Sequence, residues 1–363
     1  MASLNILALN SGSSSIKFGV YRVDAAGAEK LLGEAVSTTG HAQAFPSVAR
    51  ALTRPGTPAL DAIGHRVVHG GPALRQHCLI DAAVLPQLQA AAAFAPLHTP
   101  PALALIGLAQ AQFPGLPQVA CFDTQFHTGL PEVARVLPIA RELQSMGIQR
   151  YGFHGLSLES IVRQLGNGVP ERLVIAHLGN GASITAVKAG QSIDTSMGLT
   201  PSGGVIMGTR SGDLDPGVLV YLLREKKVDA AQLETLINQY SGLLGISGVS
   251  GDMRRLHETA ASNRDARLAI NMFCYSVRKQ VAAMAAVLGG LDMLVFTGGI
   301  GENDAHVRSE VCQGLSWMGV RLDEARNRSA SNPVSDAASR CQVQVLPSQE
   351  EEQIARHAWA LLA

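Results

Sequence analysis

Two arginines, a histidine, a lysine and several acid or amide side chains stand beside glycine-rich turns in this chain. The opening strand runs into Asn10-Ser11-Gly12-Ser13-Ser14-Ser15 and leaves toward Lys17. N–H groups and hydroxyls of such a turn can cradle phosphate oxygens. Lys17 can neutralise their charge, and Asn10 can hold a cation directly or through water. The run lacks the spacing of a strand-to-helix phosphate loop. Ile16, Phe18 and Val20 alternate with Lys17, Gly19 and Tyr21, so the turn is expected to close a β-hairpin.

The other chemistry-bearing stretches share a pattern: a charged group next to glycine. Arg66 lies in GHRVVHGG (64–71), and a guanidinium fork suits a planar oxyanion. Asp123 follows the apolar run ending CF, a strand-end position that commonly faces a crevice. His154, in RYGFHG (150–155), can donate to developing charge. Arg210 sits in GTRSGDLDP (208–216) with Asp213 and Asp215 beside it, and Pro216 is placed to open a helix. FTGGIGEN (296–303) lets backbone approach a phosphate or a flat ligand. Glu350, Glu351 and Glu352 open the last helical run, where carboxylates meet the helix dipole and one can reach a metal.

Each feature alone also fits a plain role: a solvated turn, a surface ion pair, a capping aspartate, a satisfied buried imidazole. Together they make an inventory suited to phosphoryl transfer, where positioning and charge neutralisation do most of the work. Neither G-x-S-x-G nor H-E-x-x-H occurs.

Elements of an α/β architecture must carry these groups. With 363 residues, two domains are expected. Strand-like runs (62–68, 119–122, 293–296, 343–346) alternate with helical ones (82–94, 103–112, 231–239, 264–288, 350–362). The hairpin opening at Leu4 recurs in form at Leu173, which reads either as an internal duplication or as chance likeness. Lys+Arg and Asp+Glu number 29 each, giving nucleic acid or anionic membrane no charge to recognise. Five scattered cysteines, no C-x-x-C and no visible secretory signal lead to the expectation of a cytoplasmic protein with reduced thiols.

Seven motifs in this order resemble the acetate kinase family: NSGSSSIKF (10–18), HRVVHGG (65–71), FDTQFH (122–127), RYGFHG (150–155), HLGNG (177–181), MGTRSGDLDP (207–216) and FTGGIGEN (296–303). The likeness runs from residue 4 to about 356. It implies a duplicated actin/hexokinase/Hsp70-like (ribonuclease H-like) fold with the site in the interdomain cleft. The expected domains are 1–150, joined by the terminal helix 350–363, and 151–349. It also implies reversible transfer of the ATP γ-phosphoryl group to acetate, with Mg²⁺ or alternatively Mn²⁺, in a homodimer.

By motif position, the resemblance gives Arg66 and Arg210 the carboxylate and the transferring phosphoryl group. His154 falls to the transition-state oxygens, and Asp123 to organising Mg²⁺ or the acceptor. Asn10 and Glu350 are the implied metal residues. Lys17, His177, Asn180, Gly181, Asp252, Met253, Arg254, Gly298, Gly299, Ile300, Gly301 and Asn303 are the implied nucleotide site. Val68, Leu97, Phe153 and Pro201 are the implied pocket for the acetate methyl group.

There are departures. GFHG continues as Leu156-Ser157-Leu158 where the family has T-S-H. Pro201-Ser202-Gly203-Gly204 replaces P-L-E-G, Met253 stands where an aromatic is usual, and the region between Val23 and Ile63 is short. Propionate or butyrate as acceptor, or a nucleotide-dependent module without acyl chemistry, are the alternatives.

Overall fold

The computed structural model describes residues 2–12, 15–37 and 41–363, so Ser13 and Ser14 of the opening turn lie outside the described residues. Its strands form two sheets. The first contains β1 (Leu4–Ser11), β2 (Ser15–Val23), β3 (Ala28–Ser37), β4 (Ala62–Val67), β5 (Cys78–Leu79) and β6 (Gln118–Phe122). The second contains β7 (Arg172–Leu178), β8 (Ala182–Lys188), β9 (Gln191–Thr195), β10 (Met293–Thr297) and β11 (Gln342–Val345).

Their orders are β3-β2-β1-β4-β6-β5 and β11-β10-β7-β8-β9. Without the short edge strand β5, the two sheets share one topology. An antiparallel β1–β2–β3 meander corresponds to β7–β8–β9, and parallel β4 and β6 correspond to β10 and β11. Even the register irregularity between second and third strands recurs, at Val20/Tyr21 and at Ala186/Val187. The likeness of the two opening hairpins is therefore a likeness of two whole sheets.

Helices cover the sheets for ordinary reasons. Arg264–Leu288 is capped by Asn263, whose side chain accepts from Asp265 and Ala266 N–H, and ends where Gly289 adopts φ 70°. Its buried stripe, including Ile270, Phe273, Val277, Val281 and Met284, packs into the larger core beside Ile184, Leu294 and Phe296. The last helix, Glu350–Leu362, returns to the first sheet, where Ile354, Ala355 and Ala358 pack with Ile6, Ala8, Ala62, Val119 and Cys121. Gly64 permits that return: a Cβ there would lie 2.5 Å from Ile354 Cγ2. Helix Gly155–Leu165 joins the layers, burying Leu156 against the first sheet's cluster and Leu158 and Ile161 against the second's. Among the described residues no helix is long and apolar enough to cross a membrane.

Candidate active site

The strand ends of both sheets converge on one cavity of about 460 Å³. From the first half come Asn10 on β1, Lys17 on β2, Arg66 on β4, Val68 just beyond it and Asp123 just beyond β6. From the second come Phe153, His154, His177 on β7, Asn180, Gly181, Pro201, Arg210, Gly298, Gly299 and Asn303. Glu350, at the start of the terminal helix, completes the wall.

The two arginines sit in different electrostatic surroundings. Asp123 is fully buried and receives Arg66 Nε at 3.1 and 3.0 Å and the guanidinium NH2 at 2.6 Å. Arg66 also donates to Asn10 Oδ1 at 3.3 Å. Burial opposes its charge, but Asp123 and Glu350 outweigh that and raise its pKa. Burial likewise pushes Asp123 up to about 6 although Arg66 draws it down. Among the described residues Arg210 has no such counter-charge. It donates to Pro201 O at 2.9 Å and approaches the Met207 sulfur at 3.7 Å and His98 Nε2 at 3.5 Å. Burial, then the charge of Arg66, lowers its pKa to about 10. A cation held this way is set to receive an anion.

Two imidazoles stack in the wall, His154 on His177, with centroids 4.2 Å apart and planes 20° from parallel. His154 has φ 62°, an uncommon conformation for a residue with a Cβ, and stands directly before helix Gly155–Leu165. Burial, then His177 and both arginines, drives its pKa well down; burial takes His177 to about 4. Both rings are neutral at pH 7.

Asn10 Nδ2 donates to Glu350 Oε2 at 2.7 Å and Glu351 Oε1 at 2.8 Å. Burial opposes ionisation of Glu350, but Arg66, His177, Asn10 and Lys17 together lower its pKa. An ionised carboxylate with a second beside it and an amide suits a hard divalent cation such as Mg²⁺.

Some expected residues stand elsewhere. Leu97 is 41% exposed and off the cavity wall, while its neighbour His98 lines it. Met253 is buried in the large core, and Asp252 caps the helix Met253–Thr259 while pairing at 2.6 Å with an exposed Arg254. None of these three lines the cavity, nor do Ile300 and Gly301. The glycines of FTGGIGEN follow β10 and open a short helix, Gly298–Asn303, with the helix Ala305–Gln313 directly after it. Glu302, which accepts from Gly298 N–H at 3.0 Å and Ser348 N–H at 2.9 Å, and Ser348 itself are wall residues that the sequence did not single out.

A second cluster, His77, Glu159 and His357, brings three potential ligand atoms within 4.8 Å of one another. His77 Nδ1, however, accepts from Phe122 N–H at 3.0 Å. The neutral ring therefore carries its proton on Nε2 and offers a cation no lone pair there.

A polar cleft walled by the strand ends of two sheets of one topology is the architecture of the actin/hexokinase/Hsp70-like kinases. The model of the Acetokinase family matches residues 26–356, and the chain belongs to that family. It is 42% identical over 398 residues to an acetate kinase of Methylocella silvestris, with 98% of each chain covered. The crystal structure of Porphyromonas gingivalis acetate kinase superposes with TM-score 0.84 at 34% identity, covering 99% of this chain and 100% of that one. A propionate kinase from Francisella tularensis superposes with TM-score 0.88 at 36% identity and the same coverage.

Proposed function

We propose that this chain is an acetate kinase, transferring the γ-phosphoryl group of ATP reversibly to acetate. A carboxylate oxygen attacks the γ-phosphorus, the bond to the bridging oxygen breaks, ADP leaves with that electron pair, and acetyl phosphate forms. The observation that carries the reading is the unpaired cation of Arg210, opposite an Arg66 already neutralised by Asp123. One arginine is free to meet incoming negative charge and the other is held rigid as a donor. Val68, Phe153 and Pro201 give the acceptor a small apolar recess beside them.

His154 and His177, neutral and stacked, would donate to phosphoryl oxygens without adding charge. Lys17, Asn180, Gly181 and the Gly298–Asn303 turn would meet the nucleotide phosphates. Glu350, with Glu351 and Asn10, would hold Mg²⁺, which neutralises phosphate charge when bound. Residues 1–150 with the terminal helix, and residues 151–349, would act as the two jaws of the cleft. Exposed Val218, Tyr221, Leu268, Met272 and Tyr275 on two helices of the second half support a homodimer.

Mg²⁺, ATP and each of acetate, propionate and butyrate are the assay, with acyl phosphate trapped as hydroxamate. Acetate is expected to exceed butyrate clearly. Propionate kinase is the second reading, favoured by the Francisella likeness, and one methylene separates the two by only about 1–3 kcal/mol. Nucleotide turnover without any acyl phosphate would remove both readings.

A further inference from the structure

The stacked imidazoles are braced crosswise by serines. His154 Nδ1 lies 2.9 Å from Ser183 Oγ, and Ser183 is the residue paired with His177 across the β7–β8 ladder. His177 Nδ1 lies 2.8 Å from Ser157 Oγ, and Ser157 is on the helix that begins immediately after His154. His154 is thus held by a hydroxyl from the strand beside His177, and His177 by one from the helix that follows His154. Both serines are fully buried.

Behind Ser157 stands a third hydroxyl. Ser348 Oγ donates to Ser157 Oγ at 3.0 Å, and its amide is tied to Glu302. A hydroxyl has one proton. With Ser348 as donor, the proton of the fully buried Ser157 hydroxyl has, among the described residues, only His177 Nδ1 as its acceptor, and it goes there. The ring proton of a neutral His177 then belongs on Nε2. Both Nε2 atoms lie toward the glycine turn of the cavity wall. A Cβ on Gly181 would be 3.2 Å from His154 Nε2, and one on Gly179 would be 4.0 Å from His177 Nε2.

We infer that Ser157, backed by Ser348, is a positioning residue that fixes His177 as an Nε2–H donor aimed into the cavity, beside a His154 ring braced by Ser183. The opposite tautomer would turn a lone pair toward the phosphate oxygens and repel them. Orientation of a ring nitrogen by the partner of the other nitrogen is a general device for setting imidazole chemistry. The relay also ties His177 to the segment leading into the terminal helix, so that helix and ring share one hydrogen-bonded frame.

The inference rests on the kinase reading only in its kinetic arm, and the experiment separates the two. The full chain, labelled with ¹⁵N-histidine, is recorded by two-bond ¹H–¹⁵N correlation, with His177 assigned through the signals lost in His177→Gln. A neutral ring protonated on Nε2 is expected in the unaltered chain, and a mixture of tautomers in Ser157→Ala. Turnover in Ser157→Ala should fall roughly 10- to 100-fold, the scale typical of outer partners that orient a functional group. The acetate KM should stay within about twofold, because the lost interaction belongs to the transition state. Ser348→Ala, which alters only the outer hydroxyl, should move both readouts the same way by less. An Nδ1–H tautomer in the unaltered chain, or an unchanged tautomer in Ser157→Ala, overturns the inference. Absence of acyl phosphate with the expected spectra overturns the kinase reading and leaves the tautomer assignment standing.

Discussion

At the scale of single residues, Arg66 and Arg210 should separate stability from catalysis. Arg66→Ala would strand Asp123 as a buried carboxylate without its guanidinium. Breaking one side of such a pair costs about 3–5 kcal/mol. Arg210→Ala removes a cation that burial already disfavours and that faces a carbonyl, a thioether and an imidazole. Its melting temperature should stay level or rise, while turnover falls about 10²-fold or more, as with other preorganised charge donors. Thermal denaturation and the hydroxamate assay on both variants check this. Equal destabilisation, or near-normal turnover in Arg210→Ala, would contradict the arrangement. These arginines are legible in sequence because each stands beside glycine turns that leave room for a ligand. His98 is not: nothing near it marks a phosphate site, and only the start of helix Thr99–Gln112 turns it inward while Leu97 faces solvent. Met253, given to the nucleotide site by motif position alone, is buried in the core.

At the scale of elements, the placement of Glu350 depends on how closely the terminal helix approaches the first sheet. Gly64 on β4 sets that distance. A Cβ would meet Ile354 Cγ2 at 2.5 Å and Ile354 O at 3.3 Å, and Ile354 is a fully buried β-branched residue with little freedom to retreat. Gly64→Val should therefore destabilise by about 1–3 kcal/mol through overpacking. It should also raise the Mg²⁺ concentration needed for half-maximal turnover, because the helix start would be displaced along with its carboxylate. Denaturant titration and a Mg²⁺ series check the two effects, and a loss of stability with unaltered Mg²⁺ dependence would disconnect the helix from the proposed metal site. Periodicity reveals the strands and the long helices to within a residue or a few, as with Arg264–Leu288. It cannot reveal that the last helix recrosses to the first sheet, because apolar positions state that a face is buried and not against what.

At the scale of the whole molecule, the histidines set the response to acid. Burial lowers His65, His69, His127 and His177 to about 4 and His98 to about 3. In the unfolded chain the same rings titrate near 6.5. As pH falls from about 6.5 toward 4, the unfolded chain takes up protons that the folded one refuses, so folding stability is present above that window and lost through it. Asp123 acts in the opposite sense, since burial raises it to about 6 and the folded chain binds its proton first. One carboxylate against several imidazoles leaves a net loss. The denaturant midpoint should therefore drop steadily between pH 6.5 and about 4.5, with several protons taken up on unfolding. His69, which does not itself line the cavity, allows the cause to be checked. Its ring packs among Phe94, Tyr151 and Phe153, and its Nδ1 accepts from Gly71 N–H at 2.8 Å. His69→Phe keeps a ring in that cluster and leaves the Gly71 amide without its acceptor, at a cost of about 1–3 kcal/mol. It should also remove about one proton from the slope of stability against pH. A slope unchanged in that variant, or stability that rises toward pH 4.5, would mean that these rings are not held neutral by burial.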